Sequence, residues 1–255
     1  MATLRTVLPG TGYTSRSDQG IDTSEPRPVR DNGDDDASRS HRQLIGWIGL
    51  LMPFLLWASA GVRPNDAASA WKPLDSISAY FYSSAVFVFV GLLAALSLYL
   101  FAYRGFKNAF QVWDKWLART AATAALAVAA FPTFAPSDAL RVPWWIDWFA
   151  AAHYAAAALL FASFAAFSLF LFPRRNPNMP DAPDKAWRNA IYYLCGLAIL
   201  ASMAWAGMRG LKHRPLFWPE SVALAAFAAS WLVKGAFHKT VAEKARSLRS
   251  VKQRY

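Results

Sequence analysis

Cysteine is almost missing from this chain: Cys195 stands alone among 255 residues. An intrachain disulfide and a cysteine-only metal cluster are thereby excluded. Histidine is nearly as scarce, with four in all, and no HExxH or HxxxH pair occurs. His213 and His238 fall in polar segments at opposite ends of the long apolar runs, so a three-histidine zinc site is not expected. Also lacking are a P-loop, a GxGxxG turn, a GxSxG elbow and a CxxCH pair, and with them the chemistries those motifs announce. No cofactor and no metal is expected.

Acidic residues are few as well, 16 Asp and Glu against 27 Lys and Arg, for a formal net charge of +11. Such basicity would suit nucleic acid if the cations interleaved with aromatics on one folded patch. Here they lie between apolar runs and at the chain ends, which reads as a topology signal and contact with anionic lipid, with no nucleic-acid partner.

What the chain has in abundance is apolar sequence: 55% hydrophobic and 15% aromatic, with only 17% charged. It is gathered into six runs, 43–61, 79–103, 116–134, 148–172, 189–208 and 217–237. Each is about 19 to 25 residues long, enough to cross roughly 30 Å of hydrocarbon at 1.5 Å per residue. The expected fold is all-α, a polytopic bundle of six transmembrane helices with both termini cytoplasmic. Residues 1–42 read as a disordered polar leader and 238–255 as a basic cytoplasmic tail. No cleavable signal peptide is expected, because some forty polar residues precede the first apolar run. With the amino terminus inside, about 17 basic residues face the cytoplasm against about 6 outside. Ala, Arg and Trp richness makes a bacterial inner (plasma) membrane the expected address.

Small residues predict the packing, since helices in lipid associate by close backbone approach. Ala121, Ala125 and Ala129, then Ala151, Ala155 and Leu159, then Ala225, Ala226, Ala229 and Ser230 are the expected inner faces of the third, fourth and sixth runs. Trp144, Trp145, Trp148 and Trp218 predict an outer aromatic belt, and Trp113, Trp116 and Trp187 an inner one. Lys234 is expected to snorkel to the inner interface, with Asp114 as an alternative partner.

Function is expected at the outer face, where polar residues gather at several helix mouths. Asp75, Ser76, Ser78, Tyr80 and Tyr82 enter the second run, Pro132 and Thr133 leave the third, Asp147 and His153 enter the fourth, and Glu220 enters the sixth. His153 is the most telling, because an imidazole one to two turns inside an apolar helix needs a partner. Its bland alternative is a structural histidine bonded to a neighbouring helix; for Asp75 and Ser76 the alternative is helix capping, and for Glu220 it is the helix dipole. Ser76, Ser78, Tyr80, Asp147, His153 and Glu220 are the candidate ligand-binding residues. His153, Asp75 and Glu220 are the catalytic candidates, expected to approach one another.

Several short motifs resemble a known family. Ser76-Ile77-Ser78-Ala79-Tyr80 followed by Phe87 and Tyr103-Arg104-Gly105, then Ala130-Phe131-Pro132, then His153 with Ala156, Ala157 and Phe161, then Glu220, together resemble the six-helix DRAM, Sfk and FGF-receptor-activating-protein group, in particular its uncharacterised bacterial relatives. The resemblance covers roughly residues 43–235 and implies the six-helix membrane fold. Its eukaryotic members imply a link to lipid organisation, autophagy and anchor remodelling. Two functions follow as expectations. One is an integral membrane protein that binds lipid, or a membrane-protein partner or second copy of the chain, through its outer polar mouth. The other is a lipid-modifying enzyme using His153 with nearby carboxylates.

Overall fold

The computed structural model describes residues 36–64, 71–105, 111–135, 142–174 and 184–236. The basic tail and residues 1–35 of the expected leader lie outside the described residues. Within them the chain is all-helical, with no strand: α1 (Asp36–Val62), α2 (Val86–Ala102), α3 (Gln111–Ala130), α4 (Trp148–Ala166), α5 (Lys185–Gly210) and α6 (Phe217–Lys234). A 3₁₀ turn (Ser78–Tyr82) precedes α2, and a π turn (Phe167–Leu171) prolongs α4.

Three of these helical stretches are long and apolar enough to cross a membrane: Ala37–Val62, Trp148–Leu171 and Lys185–Gly210. The other three are helical but fall short of that standard for different reasons. α2 is apolar but only 17 residues long. α3 opens on Gln111, Asp114, Lys115 and Arg119, and α6 carries Glu220 and Lys234 at its two ends within 18 residues.

The boundaries differ from the apolar runs where side chains give the backbone another option. α1 begins at Asp36 rather than at 43, so part of the expected leader is helix. Its first turns are anchored: Arg42 Nη1 donates to Ser38 Oγ at 2.9 Å, and His41 Nε2 donates to the Tyr99 carbonyl at 2.8 Å. The second run is not one helix. Ser83 adopts an extended backbone (φ −110°, ψ 175°), and its hydroxyl donates to the Tyr80 carbonyl at 2.9 Å while accepting from the Ala85 N–H at 3.1 Å. That local hydroxyl bonding competes with helical pairing and turns residues 78–85 into a separate plug. α3 ends at Ala130 because Pro132 lacks an N–H and biases the residue before it out of helix. α6 stops at Lys234, short of 237.

Each helix packs against its sequence neighbours, and α1 closes the ring against α6. Gly46 and Gly49 permit that closure: a Cβ on Gly46 would come within 2.8 Å of Leu232, and one on Gly49 within 2.7 Å of Phe227. Ser97 Oγ ties α2 to α3 through the Ala122 carbonyl at 2.8 Å. Ser168 of the π turn donates to Ser230 of α6 at 3.0 Å.

The inner face of α3 is as expected, with Ala121, Ala125 and Ala129 buried. That of α4 is not, and that of α6 is so in part, with Ser230 buried and Ala226 and Ala229 partly buried. α4 buries Ala150, His153, Ala156, Leu160, Ser163 and Phe164 while Ala151, Ala155 and Leu159 are exposed. α6 buries Ala223, Leu224, Phe227, Ala228, Ser230 and Trp231, leaving Ala225 exposed. Aromatic bulk fills the centre, with Phe164 stacked on Phe227 at 3.7 Å between centroids. In a run this rich in alanine, small size alone does not distinguish the faces.

Large apolar side chains cover the outside of all six helices, among them Phe54, Phe87 (86% exposed), Leu98, Leu126, Phe170, Leu194 and Val222. An apolar exterior on this scale exceeds what an isolated soluble protein presents to water. Six of the seven expected belt tryptophans agree with it: Trp144, Trp148 and Trp218 are exposed at one end of the bundle and Trp113, Trp116 and Trp187 at the other, while Trp145 is partly buried.

Candidate functional site

The plug, together with residues 74–77 that lead into it, is clasped between α4 and α6. On the α6 side, the Asp75 carbonyl accepts from the N–H groups of Leu216 and Phe217, the latter at 2.9 Å. The Glu220 carboxylate answers by accepting the Ile77 N–H at 2.6 Å. A helix N-terminus leaves backbone donors unpaired, and the plug supplies an acceptor for two neighbouring donors, those of Leu216 and Phe217. Tyr80 is fully buried against Phe217, and its hydroxyl accepts from the Leu74 N–H at 3.3 Å.

On the α4 side the contact is His153, 1% exposed. Its Nδ1 lies 2.6 Å from the Phe131 carbonyl oxygen and its Nε2 lies 2.8 Å from Ser78 Oγ. A carbonyl only accepts, so Nδ1 carries the proton. In the neutral ring Nε2 is then a lone pair, and the Ser78 hydroxyl donates to it. Ser78 itself is only partly buried. A second link runs alongside: Tyr82 donates to the Thr133 carbonyl at 2.6 Å, and Thr133 Oγ1 donates to the Tyr154 hydroxyl at 2.8 Å.

Three of the residues expected to form a site therefore converge. Ser78 and His153 touch directly, and Glu220 grips Ile77, the residue before Ser78. Asp75 takes part through its backbone carbonyl while its side chain is exposed, and Ser76 turns inward on its own segment, accepting from the Ala79 N–H at 3.0 Å. Tyr80 is packed away from the mouth. Asp147 is the N-cap of α4, exposed and making no side-chain cap bond. The expected pairing of His153 with carboxylates is thus replaced by a hydroxyl on one nitrogen and a backbone carbonyl on the other. Among the described residues no group of three His, Cys, Asp or Glu side chains could hold a metal ion.

The opposite end of the bundle holds a cluster that sequence reasoning did not find. Arg42 of α1 is 1% exposed, and Asp114 of α3, Tyr103 after α2, Tyr192 of α5 and Trp231 of α6 are buried with it. Asp114 and Arg42, of opposite charge, both lie near Tyr103. Tyr103 and Trp231 meet edge to face at 5.1 Å, as do Phe172 and Trp231 at 5.2 Å. Gly105, at φ +69°, closes over Asp114 so tightly that a Cβ there would lie 2.6 Å from the Asp114 Cβ. Lys234 turns back on the bundle, donating to the Phe172 carbonyl at 3.1 Å with its ammonium 5.4 Å from that ring.

Compared with family models, with curated proteins and with solved structures, the chain matches none.

Proposed function

We propose that this chain is a six-span protein of a bacterial inner membrane, both termini cytoplasmic, that holds a membrane lipid by its polar part at the outer mouth. Three observations support the membrane placement: the apolar exterior, the tryptophans at both ends, and the basic residues concentrated on one side. The shorter α2, α3 and α6 span in this reading because α1, α4 and α5 flank them in the ring. Gln43 of α1 donates to the Gly235 carbonyl at the end of α6 at 2.8 Å, in keeping with the chain entering and leaving the bundle on one side.

The observation that supports the binding reading is the Ser78–His153 bond, which joins a buried imidazole to a partly buried serine near the end of the bundle that carries Trp144, Trp148 and Trp218. An ionisable group in a membrane interior leans functional, and this one is held by segments 75 residues apart in sequence. A relationship to the DRAM, Sfk and FGF-receptor-activating-protein group belongs to the same proposal. Of the residues that suggested it, Ser76 to Ser78, Phe131, His153 and Glu220 meet at this site, while Phe87 is on the exterior and Tyr103 to Gly105 lie at the opposite end.

The test is the lipid that accompanies the protein out of the membrane. Native mass spectrometry of detergent-purified wild type should show a retained lipid. In Ser78→Ala its retention at matched detergent should fall at least about fivefold, the equivalent of one hydrogen bond of about 1 kcal/mol. Equal retention in wild type and variant would contradict the binding site.

A further inference from the structure

We infer that Ser78 is a nucleophile, activated by His153, for acyl transfer from a carboxylic ester of a membrane lipid. This rests on the outer mouth being a lipid site, as proposed above, and adds a reaction to it. A serine hydroxyl is a weak nucleophile unless an adjacent base takes its proton, and the base must be oriented by a third group. All three parts are present: Ser78 Oγ lies 2.8 Å from Nε2 of His153, and Nδ1 of His153 lies 2.6 Å from the Phe131 carbonyl. The carbonyl fixes both the tautomer and the ring plane, the role that a carboxylate plays in the familiar triad.

The surroundings suit the chemistry. The base is 1% exposed while Ser78 as a residue is only partly buried, so water is kept from the imidazole. His153 lies five residues into α4, about 7 Å below its first residue at 1.5 Å per residue. In the proposed placement, with Trp144 and Trp148 exposed at headgroup level, that is close to the boundary with the hydrocarbon, where the ester linkages of acyl lipids lie. Glu220 is a positioning residue: by holding the Ile77 N–H at 2.6 Å it fixes the backbone that presents Ser78.

The step balances within these groups. Ser78 Oγ forms a bond to the ester carbonyl carbon as its proton passes to His153 Nε2. The tetrahedral adduct then collapses, the carbon–oxygen bond to the lipid alcohol breaks, and the departing alkoxide oxygen takes the proton back from Nε2. The acyl group is left on Ser78. Water or a second alcohol attacks it with His153 again accepting and returning the proton, which regenerates the free serine.

The test uses a fluorophosphonate probe on purified full-length protein, with site mapping by mass spectrometry. Wild type should form one adduct, on Ser78. In His153→Asn, whose amide still reaches the Phe131 carbonyl but not Ser78, labelling should slow at least about 100-fold, the usual contribution of a general base. Absence of a Ser78 adduct on protein that still retains its lipid would overturn the nucleophile and leave the binding site standing. Labelling of Ser78 at equal rates in wild type and His153→Asn would overturn the role of the histidine. Because the wild-type measurement carries the claim, a variant that fails to fold cannot obscure it.

Discussion

Replacing Asp114 with alanine should destabilise the protein by about 3–5 kcal/mol, the largest effect expected of any single substitution outside the aromatic core. Arg42 and Asp114 are both buried at the end of the bundle where α1, the end of α2, α3, the end of α4, α5 and α6 converge. An ion in such a place is tolerated only while an opposite charge and hydrogen bonds compensate it. Removing the carboxylate leaves the Arg42 guanidinium in a low-dielectric setting beside Tyr103 and Tyr192. The protein in detergent should show a marked fall in thermal midpoint, whereas Asp147→Ala, on an exposed cap, should stay within about 0.5 kcal/mol of wild type. A loss under about 1 kcal/mol for Asp114→Ala would mean that the two charges do not depend on each other.

His153→Ala is the second large effect, expected at about 2–4 kcal/mol from the removed ring volume together with two stranded partners. It strands the Phe131 carbonyl and the Ser78 hydroxyl, both outside the α-helices, so far-UV circular dichroism should change little while the thermal midpoint falls. His153→Asn should recover part of the loss by donating to Phe131. If the alanine and asparagine variants are equally destabilised, the Nδ1 bond contributes nothing and the orientation argument fails.

Much of the bundle was legible in the sequence because apolar length and tryptophan placement are one-dimensional signals. His153 stood out for a related reason: a titratable ring among Ala150, Ala151, Ala152 and Tyr154 must find a partner. The partner's identity was not legible. Ser76 and Ser78 look alike in the chain, and only the 3₁₀ turn aims the second at α4. The other partner, the Phe131 carbonyl, is a backbone atom without a residue-type signature, exposed for bonding because Pro132 ends the helix just before it. Arg42 and Asp114 were misleading in another way. Charges at the ends of apolar runs read as interfacial, and their burial arises only where six helix ends meet. The inner face of α4 was misread because alanine occupies both faces; the more reliable guide would have been the spacing of His153, Leu160 and Phe164.

The account depends most on the outer mouth lying across a lipid bilayer from the end that carries Arg42. A cysteine-accessibility measurement reads this directly, in a Cys195→Ala background, with a membrane-impermeant maleimide applied to intact cells. Ser76→Cys, beside the mouth, should be labelled without permeabilisation, and Trp187→Cys, exposed at the other end of the bundle, only after it. Labelling of both from the same side, the reverse pattern, or recovery of the protein in the soluble fraction would contradict the account.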